Sequence, residues 1–258
     1  MTRETVLVTG SSSGIGMEMS RLFAADKSDL VLVARRENQL RQLADELRAG
    51  YGIEVRVLPE DLTDHQAPQR IYDRLRVEGI QVNVLVNNAG FGALGRVADL
   101  DTQRQMDMVQ VNVTALTHLT CLFLPGMIER RRGGVLNVAS TAGFLPGPGM
   151  AVYYASKAFV LSFTEALAEE LAGTGVKVCC LAPGPTQTGF GTVSGIEKAR
   201  LFRFGVMNAI EVAKAGYEGM REGKVLVVPG MTNKLAAASV RFTPRPIIRK
   251  IAQFLMQS

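Results

Sequence analysis

Three side chains within a short stretch of the sequence could together move a proton. Tyr153 stands four residues before Lys157, and Ser140 lies thirteen residues upstream of Tyr153, at the end of an apolar run. If this stretch is helical, residues four apart share a face, so the Lys157 ammonium can lie beside the Tyr153 phenol and lower its pKa. Such a tyrosine would exchange protons near neutral pH. A Tyr and a Lys at this spacing also occur by chance, so the pair needs support from the rest of the chain.

Apolar runs rich in β-branched residues alternate with stretches of helical period along the chain. The strand-like runs are residues 5–9, 30–34, 55–58, 84–87, 134–139, 176–182 and 224–229, and the helical stretches include 37–49, 67–77, 104–130, 151–172 and 209–221. This alternation predicts an α/β fold, a doubly wound parallel sheet of about seven strands with helices on both faces. No repeat or linker divides the sequence. The prediction is therefore one three-layer αβα domain over residues 1–258.

A glycine-rich loop follows the first predicted strand and leads into a helical stretch. It reads Gly10-Ser11-Ser12-Ser13-Gly14-Ile15-Gly16. Glycine permits a tight turn and close backbone approach, and the amides at a helix start can bind a pyrophosphate, so the loop predicts a dinucleotide site. Its spacing is one residue wider than GxGxxG, and it also matches the GxSxG elbow of serine hydrolases. The hydrolase interpretation lacks a base, because His65 and His118 both come too early for the order Ser, acid, His.

Two arginines end the second predicted strand, about 20 residues beyond the glycines. A carboxylate at this place would accept a hydrogen bond from the ribose 2′-hydroxyl of NAD. Arg35 and Arg36 stand there instead, and guanidinium groups suit the oxygens of a 2′-phosphate. Basic residues at a helix start oppose the helix dipole, so they need a reason other than solvation. We therefore expect NADP(H) as the cofactor.

Taken in order, these and further motifs resemble the short-chain dehydrogenase/reductase family over residues 4–230. The matching features are the glycine loop, Asp61-Leu62, Asn87-Asn88-Ala89-Gly90, Asn112, Ser140, Tyr153 with Lys157, and Pro183-Gly184 followed by Thr188. Each motif is modest alone, and their shared order makes the resemblance specific. It implies a Rossmann-like fold and the interconversion of a carbonyl and a secondary alcohol.

The resemblance also implies roles for the catalytic candidates. Tyr153 resembles the family's general acid/base, and Lys157 the residue that lowers its pKa and holds the nicotinamide ribose. Ser140 resembles the hydroxyl that polarises the substrate oxygen. Asn112 resembles the helix residue whose backbone carbonyl binds a water of the proton relay. Only Tyr153 has the four-residue spacing to Lys157, so Tyr154 is interpreted as packing or a pocket wall.

Cofactor contacts follow from the resemblance in the same way. Asp61, with Leu62, is similar to the aspartate that contacts the adenine amino group, and Asn88, Ala89 and Gly90 to the residues beside the adenosine ribose. Pro183, Gly184, Thr186 and Thr188 would face the nicotinamide. Asn87 is interpreted as structural, because an Asn at a strand end usually ties backbone together. We expect no metal site.

The substrate pocket is predicted from position relative to these residues. Its candidates are Ala142, Phe144, Leu145, Met150, Pro185, Phe190 and Phe202. They are apolar, so an apolar ketone or a 3-oxoacyl group fits better than a sugar. Residues 189–208 break the helix and strand rhythm and are interpreted as a substrate lid. Arg200 and Arg203 in this lid keep a 3-hydroxy acid open as the substrate, and a catalytically idle dinucleotide sensor or scaffold is the alternative of a different class.

The charge distribution and the cysteines limit the classes of partner and the cellular compartment that we expect. The formal net charge is +5, and residues 231–258 hold Lys234, Arg241, Arg245, Arg249 and Lys250 without an acidic residue. With no Trp and no basic groove studded with aromatics, we do not expect nucleic-acid binding. Cys121, Cys179 and Cys180 form no CxxC pair and are interpreted as reduced core residues of a cytoplasmic protein. No uninterrupted apolar run is long enough to span a bilayer.

The basic segment 231–258 extends past the usual end of the family and is amphipathic. Three interpretations stay open for it: subunit packing, closure of the pocket, and attachment to an anionic membrane surface. The resemblance further implies a homodimer or homotetramer, built on helices around residues 109–123 and 159–171. The small-molecule partner would be a carbonyl compound or an alcohol.

Overall fold

Parallel strands form the centre of the structure, a computed structural model that describes residues 3–196 and 206–256. In chain order the described strands are β1 (Thr5–Thr9), β2 (Asp29–Ala34), β3 (Val55–Pro59), β4 (Val84–Asn87), β5 (Gly133–Val138), β6 (Val176–Leu181), β7 (Thr186–Gln187), β8 (Met207–Asn208) and β9 (Leu226–Val227). Seven of them form one sheet in the order β3-β2-β1-β4-β5-β6-β9, with every pair parallel. The predicted α/β fold is confirmed.

Helices connect consecutive strands and cover both faces of the sheet. They are α1 (Gly14–Ala25), α2 (Glu37–Tyr51), α3 (Ala67–Val77), α4 (Thr102–Val109), α5 (Leu116–Glu129), α6 (Ala151–Glu170), α7 (Phe190–Ser194), α8 (Ala209–Glu222), α9 (Met231–Ser239) and α10 (Arg245–Met256). A π-helical turn, Gln110–Ala115, joins α4 to α5, and short 3₁₀ turns cover Thr141–Phe144 and Val240–Phe242.

The alternation of strand side chains divides the core into two layers. On one face Val6 and Val8 pack with Phe23 of α1. On the other face Leu7 packs with Ile71 of α3 and Leu119 of α5. All six side chains are almost fully buried. Both faces of the strands are apolar because a parallel sheet is covered by helices on each side, which is why the strands read as continuous hydrophobic runs.

The strand order reverses direction between β1 and β4. From β1 the chain moves outward to β2 and β3, and then returns to β4 on the other side of β1. In open α/β sheets such a switch point leaves a crevice beyond the carboxyl ends of the strands, where ligands bind. The loops after β1, β4 and β5 therefore meet at one edge of the sheet.

The continuous helical stretch Thr102–Glu129 is the one described helix long and apolar enough to cross a membrane, with a mean hydropathy of 1.5 over its most apolar window. Its inner face is buried in the core through Leu119, Phe123 and Met127. A core helix of an α/β sheet passes the same test of length and composition, and this packing identifies it as one. Cys121 lies on its exposed face, so the prediction that all three cysteines are core residues is wrong for Cys121; Cys179 and Cys180 are buried.

Two regions differ from the sequence-based expectation. The last strand, expected over 224–229, is limited to Leu226–Val227 at the edge of the sheet. The short pair of β7 and β8 was not predicted, because a two-residue strand leaves no periodicity to detect. Part of the expected lid, residues 197–205, lies outside the described residues.

Candidate active site

The glycine loop turns sharply between β1 and α1. Gly10 has a φ of +67° and Gly14 a φ of +58°, which are left-handed conformations that favour glycine. A Cβ at Gly10 would lie 2.8 Å from Nδ2 of Asn88, and one at Gly16 would lie 2.6 Å from the Gly10 carbonyl oxygen. The loop backbone therefore packs where any side chain would stand, and α1 starts directly from it at Gly14.

Hydrogen bonds join the loop after β4 to the glycine loop. The Thr9 hydroxyl accepts from the backbone amides of Asn88 and Ala89, both at 3.0 Å. In return, the Asn88 side-chain amide donates to the Thr9 carbonyl at 2.8 Å. These bonds bridge almost 80 residues of sequence, and they fix both walls of the crevice at the switch point.

Arg36 lies across the outer edge of the glycine loop. Its Nη2 donates to the hydroxyls of Ser12 at 2.9 Å and Ser13 at 2.7 Å. Arg35 is 70% exposed in its side chain and lies 3.7 Å from a carboxylate oxygen of Asp61. Two guanidinium groups and two hydroxyls therefore meet at the end of β2, an arrangement that offers several donors to a phosphate group.

These residues fit a dinucleotide. A cavity of about 620 Å³ extends from the glycine loop past the arginines to Tyr153. At its loop end lie the first amides of α1, a twelve-residue helix with no acidic residue in its first turn, so the helix dipole and free N–H groups favour a pyrophosphate there. The predicted cofactor residues that line the cavity are Gly10, Ser12, Ser13, Gly14, Ile15, Arg35, Arg36, Asp61, Leu62, Asn88, Ala89, Gly90, Pro183, Gly184, Thr186 and Thr188. Gly16 lies behind the loop and does not line it.

Helix α6 presents the proton-transfer residues to the same cavity. Tyr153 lies in its first turn, with Lys157 one turn later, and both side chains are buried. Ser140, two residues after the end of β5, interacts with the Tyr153 hydroxyl and favours its ionised form; it also accepts from the Ala142 amide at 3.1 Å and donates to the Pro183 carbonyl at 3.3 Å. The Ser140 and Tyr153 hydroxyls thus converge, as binding of one carbonyl oxygen requires.

The pKa of Tyr153 differs from the sequence-based expectation. Burial raises it to about 12, and the hydrogen bond with Ser140 offsets only part of this increase. The Lys157 Nζ donates to the Val138 carbonyl at 2.8 Å and lies 5.9 Å from the centre of the tyrosine ring. Tyr153 is therefore a protonated phenol at neutral pH, suited to donate a proton. Burial also lowers the pKa of Lys157, to about 8.

Asn112 lies behind the cavity rather than on its wall. Its side chain exchanges hydrogen bonds with the backbone of Phe91, at 3.0 and 3.1 Å, and donates to the Ser156 hydroxyl at 3.0 Å. It belongs to the π-helical turn, a local irregularity that is frequent at functional sites. A Cβ on Gly90 would lie 3.0 Å from Oδ1 of Asn112 and 3.4 Å from Nζ of Lys157. Asn112 thus holds the loop after β4 against α6, next to Lys157.

Apolar side chains form the other end of the cavity. Of the predicted pocket residues, the cavity is lined by Ala142, Leu145, Met150, Pro185 and Phe190. The Phe190 ring lies 5.2 Å from the Tyr153 ring, centre to centre. Phe144 was predicted wrongly, because it turns away from the cavity and packs beside Val160 and Leu161. Phe202 lies outside the described residues.

The C-terminal helices also line the cavity, and none of their residues was predicted from the sequence as a site residue. The lining residues are Asn233, Ala236, Ala237, Ser239, Val240, Thr243, Ile248, Ile251 and Ala252. Asn233 packs directly on Gly184, where a Cβ would lie 2.6 Å from its Nδ2, and donates to the Pro229 carbonyl at 2.8 Å. Of the three interpretations of segment 231–258, closure of the pocket therefore applies to the side of the segment that faces the cavity. The signal available in the sequence was the amphipathic period of residues 245–256.

Tyr154 is a pocket wall. It lines the cavity, is buried, and packs edge-on against Tyr153 with 6.1 Å between ring centres. Burial raises its pKa well above the usual range of a phenol. Gly147 packs closely against the face of the Tyr154 ring.

Residues 4–197 match the family model described as short chain dehydrogenase. Among curated proteins, sulfoacetaldehyde reductase 2 of Chromohalobacter salexigens is 40% identical over 189 residues, which are 72% of this chain and 74% of that protein. A very-long-chain 3-oxoacyl-CoA reductase of Anas platyrhynchos is 36% identical over 185 residues, covering 69% of this chain and 58% of the relative. The match thus spans less than two thirds of the latter protein.

Solved structures share the fold over nearly the whole chain. A short-chain dehydrogenase from Sphingobium yanoikuyae in complex with NADPH has a TM-score of 0.84 and 33% identity, covering 93% of each chain. A short-chain dehydrogenase/reductase from Burkholderia phymatum in complex with NAD has a TM-score of 0.82 and 28% identity, covering 99% of this chain and 97% of the other. Similar structures therefore bind either nicotinamide cofactor.

Proposed function

Because the chain belongs to the short-chain dehydrogenase/reductase family of oxidoreductases, we propose that it is an NADP(H)-dependent reductase of apolar ketones or 3-oxoacyl compounds. The observation that carries the proposal is the convergence of the Ser140 and Tyr153 hydroxyls on a cavity that also holds the glycine loop. Arg36 on the Ser12 and Ser13 hydroxyls supports NADP(H) over NAD(H), since it offers charged donors where a 2′-phosphate would lie.

In the proposed mechanism, the protein donates the proton that the substrate oxygen receives. Ser140 binds the substrate carbonyl oxygen, and Tyr153 donates its phenolic proton to that oxygen as the alcohol forms. NADPH, when bound, would supply the hydride, which is the cofactor's own chemistry. Lys157 stabilises the resulting phenolate through its positive charge. Asn112 is a positioning residue, because it holds the loop of Gly90 and Phe91 beside Lys157.

In the reductive direction, Tyr153 acts as the acid. A phenol with a pKa of about 12 is protonated at neutral pH and is ready to donate. Oxidation would require the phenolate as the base, and burial disfavours that form.

An apolar substrate is supported by the side chains around Tyr153. Leu145, Met150, Phe190 and Ile196 line this end of the cavity, and α10 adds Ile248 and Ile251. An aliphatic or aromatic substituent would bury its surface here at about 25 cal/mol per Å². The 3-oxoacyl-CoA reductase relative is named for a substrate that carries such an apolar chain.

We propose further that the protein is a homodimer or homotetramer located in the cytoplasm. The outer faces of α5 and α6 expose Cys121, Ile128 and Phe159, which a second copy would bury. Buried free thiols at Cys179 and Cys180 suit a reducing compartment. Light scattering on the purified protein measures the mass, and a monomer at micromolar concentration would contradict the oligomer.

NADPH oxidation across a carbonyl panel tests the proposal. The panel contains a short ketone, a bulky apolar ketone, a 3-oxoacyl thioester and, with NADP⁺, a 3-hydroxy acid. We expect turnover of the bulky ketone or the thioester, and a loss of about 10³-fold in Tyr153→Phe with NADPH binding retained. Tyr72→Phe is the matched control, because Tyr72 packs against Phe123 in the core, away from the cavity. NADPH binding without turnover of any member would identify a dinucleotide sensor instead.

A further inference from the structure

The C-terminal segment 231–256, with helices α9 and α10, carries an unbalanced positive charge. Its five cations are Lys234, Arg241, Arg245, Arg249 and Lys250, all on exposed residues, and it contains no acidic residue. The formal net charge of the whole chain is also +5, so the remainder of the chain is neutral. The excess charge of the protein is therefore confined to this segment.

These cations differ from the basic residues elsewhere on the surface. Arg70 pairs with Glu60 and Asp64, and Arg21 with Glu18 and Glu46. In contrast, within residues 3–196 and 206–256 none of the five C-terminal cations forms an ion pair. Their field is thus not compensated by neighbouring carboxylates and extends into the solvent.

Large apolar side chains are exposed among these cations. Phe242 is 87% exposed, Leu235 64% and Ile247 50%. Elsewhere on α10, Ile248 is 7% exposed and Ala252 2%, and both line the cavity. The segment therefore has an inner face that closes the pocket and an outer face, hereafter the outer tail face, that presents apolar side chains with positive charges around them.

We propose that the outer tail face attaches the protein to an anionic membrane surface. An amphipathic helix with apolar residues and cations lies in the membrane interface, where the apolar side chains enter the acyl boundary and the cations meet lipid phosphates. Charge complementarity favours this partner over a second copy, because two copies joined at this face would bring their uncompensated cations together. The α10 helix is then shared between the membrane and the pocket wall.

Vesicle cosedimentation tests the proposal without requiring turnover. Full-length protein is mixed with vesicles of phosphatidylcholine alone or with added phosphatidylglycerol. We expect binding to the anionic vesicles only, weakened by added salt. The triple variant Arg241→Gln, Arg249→Gln and Lys250→Gln should lower the partition coefficient on the order of 100-fold, because each cation near an anionic surface contributes about a fivefold factor.

A matched triple variant separates the outer tail face from net charge. Arg76→Gln, Arg132→Gln and Lys214→Gln remove the same charge from exposed residues elsewhere, and this protein should bind the vesicles like the original. The double variant Phe242→Ser and Ile247→Ser should lose binding while its thermal unfolding and its oligomeric mass stay unchanged. None of these residues lines the cavity.

Three results would overturn the proposal. One is an equal soluble fraction with both kinds of vesicle. Another is an equal loss of binding in the two triple variants, which would reduce the effect to net charge. The third is a changed oligomeric mass of the Phe242 and Ile247 variant with vesicle binding intact, which would make the outer tail face an interface between copies.

Discussion

The two ends of the cavity are built in different ways. At the cofactor end, the walls are backbone segments at the carboxyl ends of β1 and β4, joined by hydrogen bonds through Thr9 and Asn88. At the substrate end, many of the wall side chains come from α7, α9 and α10, which lie outside the central sheet, and they stand beside Leu145 and Met150 from the segment between β5 and α6. Because the first end is built into the sheet, we expect it to be as rigid as the core, and we expect the second end to tolerate substitution without unfolding the sheet. The comparison implies that substitutions at the cofactor end affect stability and binding together, and that those at the substrate end affect specificity alone.

The largest effect is expected from Gly16→Ala. The new Cβ would lie 2.6 Å from the Gly10 carbonyl and overlap the Asn88 side chain, so the glycine loop must move. We expect a loss of about 3 kcal/mol in the free energy of unfolding and no measurable NADPH binding. Gly50→Ala is the control, because its site in α2 is open and alanine should stabilise that helix by up to about 1 kcal/mol. Thermal unfolding and NADPH titration measure both; a stable Gly16 variant that binds NADPH would break the comparison.

The burial of Lys157, at the centre of the cavity, can be tested through the pH dependence of stability. Its pKa is about 8 in the folded protein, below its usual value of 10.5. Between these pH values the unfolded chain binds a proton that the folded chain does not, so this residue makes the free energy of unfolding rise with pH through that window. Below pH 8 the buried ammonium costs on the order of 3 kcal/mol.

We therefore expect Lys157→Met to be more stable than the original protein below pH 8, and this difference to shrink as the pH rises from 8 toward 10.5. Denaturant unfolding of both proteins across this range measures the difference. Tyr153 acts in the opposite direction, but only between its usual pKa of 10 and its value of about 12. A difference that is constant across the window would mean that Lys157 is solvated in the folded protein.

The contrast between the two ends also explains which features of the fold and the site could be predicted from the sequence. Strands such as β1 and β4 are buried on both faces, so each reads as a continuous apolar run, and the glycines are required by a turn that admits no side chain. Local sequence carries this information. The lowered pKa expected for Tyr153 was wrong, because helical spacing brings Lys157 near the ring but does not reveal how deeply the phenol is buried.

The residues of the substrate end were harder to predict from the sequence, because contacts between distant segments decide which side chains line it. Phe144 and Leu145 are adjacent in the sequence, yet Leu145 lines the cavity and Phe144 packs against α6. The contact of Asn233 with Gly184 joins residues 49 positions apart and leaves no pattern in either segment. Tertiary packing decides which of these side chains face the cavity, and this packing cannot be deduced from the local sequence.

Arg36 lies at the edge of the cofactor end, and Arg36→Gln is expected to reduce the preference for NADPH over NADH. Losing a charged donor to a phosphate costs about 2 kcal/mol, so the KM for NADPH should rise roughly 30-fold while that for NADH stays nearly constant. Arg41→Gln removes the same charge one turn further along α2, where the side chain pairs with Glu37 and does not line the cavity. Steady-state kinetics with both cofactors measure the effect. An equal rise for NADPH and NADH would assign Arg36 to the loop rather than to the phosphate.

The smallest effect separates two isoleucines of α10. Ile251 and Ile247 are 49% and 50% exposed, but only Ile251 lines the cavity. Because each loses similar surface on truncation, Ile251→Ala and Ile247→Ala should alter stability equally. Ile251→Ala alone should lower kcat/KM for a bulky apolar ketone about fivefold, as expected for the loss of about 1 kcal/mol of apolar contact, and leave a short ketone and the KM for NADPH unchanged. If both variants lose activity equally, α10 supports the cavity as a whole and the proposed independence of the substrate end fails.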